Sequence, residues 1–203
     1  MEKNIKKYFP IFVLPTFLSF AVVFLIPFIL GIYLSFTEFT TVESAQWVGF
    51  ENYIKAFTQD DNFLNALWFT IKFTIVSVIT INVFAFGLAL LLTKAFKGTS
   101  VFRTVFFMPN LIGGIVLGYI WNLLINSILG IFGYDITYDA DYGFWGLVFL
   151  LNWQLIGYMM VIYIAGLQNI PHELNEAALI DGASSFSILK NIKIPMVMPS
   201  VTI

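Results

Sequence analysis

The sequence predicts an all-α polytopic membrane protein, and three observations carry that prediction. Of its 203 residues, 59% are hydrophobic and only 11% are charged. A soluble domain carries about a quarter charged residues, so this chain could not cover its own surface in water. Four charge-free runs, at 8–37, 73–93, 104–134 and 142–172, reach the ~20 residues that a helix needs to cross ~30 Å of hydrocarbon. Finally, the lysines and arginines fall in alternate loops between these runs, as cytoplasmic loops of multi-pass proteins do.

The N-terminal MEKNIKKYFP sets Lys3, Lys6 and Lys7 ahead of an apolar run, as a signal peptide would. That run is too long for an h-region and no A-x-A site follows it, so an uncleaved first span over about 10–36 is expected. The loop after it contains GFENYIKAF (49–57), which predicts a short surface helix with Phe50, Tyr53 and Phe57 on one face. Aromatics at that spacing suit interfacial anchoring better than a ligand site. Further spans are expected at about 67–93, 104–126 and 143–166. A fifth opens at about 195 and stops at Ile203, too short to cross, so the sequence reads as C-terminally truncated. Residues 1–203 thus form a single transmembrane domain, four complete spans plus the start of a fifth, with no internal repeat or soluble domain.

Orientation follows from the basic residues. Lys3, Lys6 and Lys7 precede the first span; Lys94, Lys97 and Arg103 lie between the second and third; Lys190 and Lys193 follow the fourth. On the other side only Lys55 is clear, since Lys72 can snorkel from the end of the second span. Glu38, Glu43, Glu51, Asp60, Asp61, Asp135, Asp139 and Asp141 all fall in the other loops. The N-terminus and the 167–195 segment are therefore expected on the cytoplasmic side.

Much chemistry is excluded. The net charge is −2 with no basic stripe, which does not suit nucleic acid. With no cysteine and a single histidine, His172, neither thiolate catalysis nor a Cys- or His-rich metal site is available. No GxxxxGK[ST], G-x-S-x-G or HExxH occurs, and KGTS at 97–100 is a cytoplasmic turn. No catalytic or metal-binding residue is therefore assigned. The acids lie outside the spans, which argues against a proton relay. Inside the spans stand Asn82, Asn110, Asn122, Asn152 and Gln154, near Trp121, Trp153, Tyr119 and Tyr158. Neutral amides beside aromatic rings suit a sugar, and Asn122, Asn152 and Gln154 are the candidate pathway residues. The alternative is hydrogen bonding between helices or an interfacial aromatic belt.

The segment GLQNIPHELNEAALIDGASSFSILKNIKIP (166–195) differs from the rest. Pro171 suits a first helical turn, and Glu173 and Glu176 suit the helix dipole there. Leu174, Ala177 and Ala178 share a face. Gly182 permits a left-handed turn, and Ser184 or Ser185 can cap a second short helix with Phe186, Leu189 and Ile192 on its apolar side. Lys190 and Lys193 suit that helix's C-terminus, and Pro195 is expected to close it. The expectation is a helix–turn–helix bracket on the cytoplasmic surface that presents small apolar faces to a protein partner.

The pattern Glu176-Ala177-Ala178, Gly182, Ile192, Ile194-Pro195 resembles the cytoplasmic EAA loop in permease subunits of binding-protein-dependent ABC importers. GLQNIPHELNEAALIDGAS, FRTVFFMPNLIGGIVLGYIW (102–121) and GFENYIKAF are similar to the carbohydrate-uptake branch. His172 stands where a basic residue is common and Ile194 where leucine is. The resemblance implies a MetI-like helical bundle whose loop at 167–195 couples to an ATPase, with Glu176, Ala177, Ala178 and Gly182 carrying the coupling and Asp181 supporting the turn. It also implies a cytoplasmic ABC ATPase dimer, a second homologous permease, an extracellular or periplasmic solute-binding protein and a sugar-like substrate, in a bacterial cell (inner) membrane. This chain would bind no cofactor, and ATP would be used by the partner subunit. An ion-coupled secondary transporter, the alternative, would need intramembrane charge or a broken-helix ion site, and neither is evident. A membrane-embedded enzyme would need a nucleophile or metal constellation, and none is present.

Overall fold

The computed structural model describes residues 2–41, 44–94 and 97–201. Glu43, counted above among the outer acids, lies outside the described residues, as do the side chains of Lys3, Lys6 and Lys7. The chain forms two compact units, Met1–Phe69 and Thr70–Ile203.

In the first unit, α1 (Glu2–Phe20) runs through a π-helical turn at Ala21–Leu25 into α2 (Ile26–Ser35). The turn has a local cause. Pro27 has no N–H, and its ring crowds the carbonyl of the preceding turn. Widening the helix relieves that, and the Ile26 N–H accordingly reaches back five residues to the Ala21 carbonyl. The stretch Ile11–Ser35 is long and apolar enough to cross a membrane. Beyond it, β1 (Thr37–Glu38) and β2 (Gln46–Trp47) pair antiparallel, Thr37 opposite Trp47, and lead to α3 (Glu51–Thr58). This is the short amphipathic helix expected from GFENYIKAF. The Asn52 amide fastens it by donating to the Ser35 carbonyl at 3.0 Å and the Thr37 carbonyl at 2.9 Å. Phe50 and Tyr53 pack on Phe36, with ring centroids 5.2 and 5.5 Å away, so these two aromatics hold α3 to the chain leaving α2.

The second unit takes up α4 (Asp61–Leu92) from Thr70 onward. It continues with α5 (Thr99–Phe107), α6 (Gly114–Leu129), α7 (Ala140–Gln168), α8 (His172–Ile180), α9 (Ser185–Ile188) and α10 (Ile194–Val201). Its core is built on small residues. Ser77, Ile81, Ala85, Ala89 and Leu92 form one buried face of α4, and Ala85 and Ala89, fully buried, cluster with Met160, Tyr163, Ile164 and Leu167 of α7. With no hydrophobic drive between helices in lipid, such small-residue faces let backbones approach until dispersion holds them. Gly157 of α7 shows the limit of that approach. A Cβ there would overlap the Phe106 carbonyl oxygen and stand 2.9 Å from the Phe107 nitrogen.

Two expectations are corrected. Residues 104–126 do not form one helix. α5 ends at Phe107, a 3₁₀ turn covers Met108–Leu111, Gly113 is extended, and the membrane-length helix is Gly114–Phe132. Pro109 cannot sit inside a helix without losing a hydrogen bond, and the Gly113-Gly114 pair gives little helical stability, so the break falls between them. Nor does Pro195 close the helix of the bracket. A second π-helical turn, Leu189–Lys193, carries the backbone into α10, and the Ile194 N–H reaches the Leu189 carbonyl. The solution repeats that at Ile26-Pro27.

Among the described residues four helices are long and apolar enough to cross a membrane, yet only 28% of the apolar window is buried in Asp61–Leu92 and Ala140–Gln168, and 6% in Gly114–Phe132. Apolar surface on that scale requires lipid or other helices around it.

Candidate functional site

In the bracket, α8 starts after Pro171, which occupies the cap position with φ −56° and ψ 132°, and carries Glu173 in its first turn. The helix ends in a Schellman arrangement. The Ala183 N–H donates to the Ala178 carbonyl at 2.9 Å, and the Gly182 N–H donates to the Leu179 carbonyl at 3.1 Å. Gly182 supplies the left-handed residue this needs, at φ +77°. Ser184 caps α9, its Oγ accepting from the Ser187 N–H at 3.2 Å. Of the two serines offered by the sequence, it is the first that caps.

Glu176 and Ala177 are exposed on α8, while Ala178 is half-buried. Asp181 contributes only its backbone, donating to the Ala177 carbonyl at 3.0 Å, while its exposed carboxylate takes no hydrogen bond in the turn. Exposed apolar surface flanks the turn. Ile180 is 86% exposed and Phe186 71%, one on each side of the Gly182 turn. Phe186, Leu189 and Ile192 were expected together on the apolar side of the second helix; Phe186 is exposed, whereas Leu189 and Ile192 are half-buried. Ile188 turns inward, because the cap at Ser184 sets the phase of α9.

The amides of the spans do not converge. Asn82 belongs to the packing: its Oδ1 accepts from the Tyr163 hydroxyl and its Nδ2 donates to the Val78 carbonyl at 2.6 Å. Asn122, exposed on α6, accepts from Asn126 at 3.4 Å. Asn152 is 9% exposed, and its Nδ2 donates to the Val148 carbonyl at 2.8 Å, while its buried Oδ1 has no partner among the described residues. Gln154, two residues on, stands ~200° around α7 from Asn152 and is half-buried. Asn152 alone lines the large cavity between α4, α6 and α7, about 830 Å³, with Trp121, Trp145, Phe149 and Trp153. Trp121 packs edge-on against Trp153 and Phe149, with centroids 5.4 and 5.2 Å apart. Such a cavity offers ring faces and one unpaired acceptor. Trp121 and Trp153 were visible in the sequence, whereas Trp145 and Phe149 needed the helix packing to place them.

A membrane domain with this broken third span and this glycine-turned bracket matches known proteins over most of its length. The family described as binding-protein-dependent transport system inner membrane component matches residues 97–203. The chain belongs to that family. It is 40% identical over 202 residues to the probable starch degradation products transport system permease protein AmyD of Thermoanaerobacterium thermosulfurigenes, covering 95% of this chain and 68% of that one. It is 30% identical over 191 residues to the multiple sugar-binding transport system permease protein MsmF of Streptococcus mutans, covering 89% and 66%. The chain thus spans about two thirds of the length of these curated relatives. A crystal structure of a bacterial alginate ABC transporter, in complex with alginate pentasaccharide-bound periplasmic protein, contains a chain that superposes with a TM-score of 0.75. That chain is 22% identical, over 99% of this chain and 71% of its own, and it supports the fold. This membrane permease of the inner membrane component family is an all-α bundle in which the bracket follows α7 directly.

Proposed function

We propose that this chain is a membrane-spanning permease subunit of an ATP-driven ABC importer, translocating a sugar or related polar solute delivered by an extracellular binding protein. The observation that carries the reading is the bracket. Ile180 and Phe186 expose large apolar side chains beyond the ends of the membrane-length helices, where lipid does not cover them, so a protein surface must. A cytoplasmic ATPase dimer is the partner that fits, with Glu176, Ala177, Ala178 and the Gly182 turn at the contact. ATP is hydrolysed there and not on this chain. A second homologous permease covers part of the apolar surface left open on the spans. The substrate class is supported by the starch-product and sugar systems named for AmyD and MsmF.

For the pathway, the half-buried Gln154 and exposed Asn122 are the amides free to meet a solute. Asn152 is buried against an almost wholly apolar cavity, where its Oδ1 finds no partner among the described residues. Uptake of labelled maltodextrin by cells carrying the complete transporter should survive a proton ionophore and stop when the ATPase subunit is deleted. Collapse with the ionophore would turn the assignment to an ion-coupled carrier. In the same assay Gln154→Ala should raise KM several-fold. Asn152→Leu, which removes a buried unpaired acceptor, should leave KM unchanged; the opposite pattern would move the pathway to the cavity.

We also propose that the N-terminus and the bracket face the cytoplasm. Because the chain has no cysteine, single replacements report the sides directly. Tyr138→Cys, at a residue 88% exposed, should react with an impermeant thiol reagent in intact cells, whereas Lys190→Cys should react only in inside-out vesicles. Reversed labelling would overturn the orientation.

A further inference from the structure

A second groove lies where the C-terminal half of α4 meets α9 and the π-helical turn after it. Its volume is about 590 Å³. Val83, Gly87, Leu90 and Leu91, one stripe along α4, form its apolar side, and Lys94, Ser185 and Lys193 also line it. Val83 and Leu91 are 63% and 60% exposed, so the described residues leave the stripe uncovered. No carboxylate among the described residues pairs with either lysine.

The depth of the groove matches one leaflet. Between Lys72 and Lys94 the chain rises ~33 Å at ~1.5 Å per residue, close to the ~30 Å of a hydrocarbon core. Val83 is halfway and so lies near the bilayer midplane, while Lys94 lies at the headgroup level. The groove therefore starts where acyl chains end and opens at two ammonium groups and a hydroxyl. We propose that it binds an anionic phospholipid of the cytoplasmic leaflet, the phosphate held by Lys94, Lys193 and Ser185 and an acyl chain lying along Val83, Gly87 and Leu91. The inference rests on the cytoplasmic placement proposed above for the bracket, which carries Lys193, and on the same side for Lys94 in the loop between the second and third spans. Charge complementarity selects this occupant. Basic clusters at the cytoplasmic surface attract anionic lipid, a soluble ATPase does not reach the bilayer midplane, and an apolar helix would leave both ammoniums uncompensated. The site joins α4 to the segment that carries the bracket, so lipid there would brace one against the other.

The test uses the complete transporter, purified in mild detergent and titrated with phosphatidylglycerol or phosphatidylcholine, with bound lipid counted by native mass spectrometry. One phosphatidylglycerol should be retained in preference to phosphatidylcholine. Each lysine contributes ~1 kcal/mol of attraction near a membrane surface, so Lys94→Gln with Lys193→Gln should weaken retention about thirty-fold at 1.4 kcal/mol per decade. Gly87→Leu keeps both charges but fills the groove. A Cβ at Gly87 meets nothing within 4 Å, so this variant should assemble normally and lose the lipid. Equal retention of the two lipids, or unchanged retention in both variants, would overturn the proposal, as would efficient cross-linking of Gly87→Cys to a helix of the second permease. Retention is read without substrate or ATP, so these outcomes leave the importer reading standing, and the cysteine labelling above tests the orientation separately.

Discussion

Gly157→Ala is expected to be the most damaging single-methyl change in this chain, and to act on folding. At Gly157 the backbone of α7 crosses the end of α5 so closely that a Cβ would overlap the Phe106 carbonyl oxygen and lie 2.9 Å from the Phe107 nitrogen. The obstacle is backbone, so no rotamer change relieves it. Either α5 moves away from α7 or the pair separates. Overpacking of a rigid site costs ~1–3 kcal/mol, occasionally more, and the upper end is expected here. Gly118→Ala provides the control, since a Cβ on that helical glycine meets nothing within 4 Å. Fluorescence-detected size exclusion after graded heating should show Gly157→Ala aggregating well below the parent, with Gly118→Ala unchanged. Equal melting of the two variants would mean that the crossing of α5 and α7 is looser than described.

Gly182→Val should spare the fold and abolish coupling. Gly182 sits at φ +77°, where a side-chain-bearing residue costs ~1–2 kcal/mol and a β-branched one is least tolerated. Nothing lies within 4 Å of the position a Cβ would take, so the cost is conformational. It falls on the Schellman turn that sets the direction of α9 relative to α8. The spans do not depend on that turn, and the variant should reach the membrane and assemble with the second permease. Substrate-stimulated ATP hydrolysis should fall roughly tenfold or more, the equivalent of 1.4 kcal/mol in an equilibrium. Gly182→Asn should recover much of it, because asparagine enters the left-handed region readily. Normal stimulated hydrolysis in the valine variant would end the coupling reading, whatever the behaviour of asparagine.

Much of this was legible because membrane proteins write their constraints locally. Backbone groups in lipid must be satisfied within the helix, so a long charge-free run becomes a helix whatever surrounds it. The runs around 10–36, 67–93 and 143–166 accordingly lie on Ile11–Ser35, Asp61–Leu92 and Ala140–Gln168. Gly182 was legible for the same local reason, since a glycine after Ala-Ala-Leu-Ile-Asp is a helix stop. The broken third span was not. Hydropathy runs unbroken from 104 to 134, and the signal was MPNLIGG, whose Pro109 and Gly113-Gly114 mark a turn. Pro195 misled in the opposite direction, because a π-helical turn can carry a helix past a proline.

By itself, then, the sequence determined the membrane class, three of the four membrane-length helices among the described residues, and the glycine turn. Each depends on hydropathy, charge or a single residue's φ, which neighbours in sequence decide. Only the tertiary structure decided which side chains meet. It gave Asn82 to Tyr163 and brought Lys94 and Lys193 to one groove. In a chain whose apolar residues run all round its helices, periodicity cannot say which face is covered. The packing of Ala85, Ala89 and Gly157 settles that, because only where side chains are small can two backbones come together.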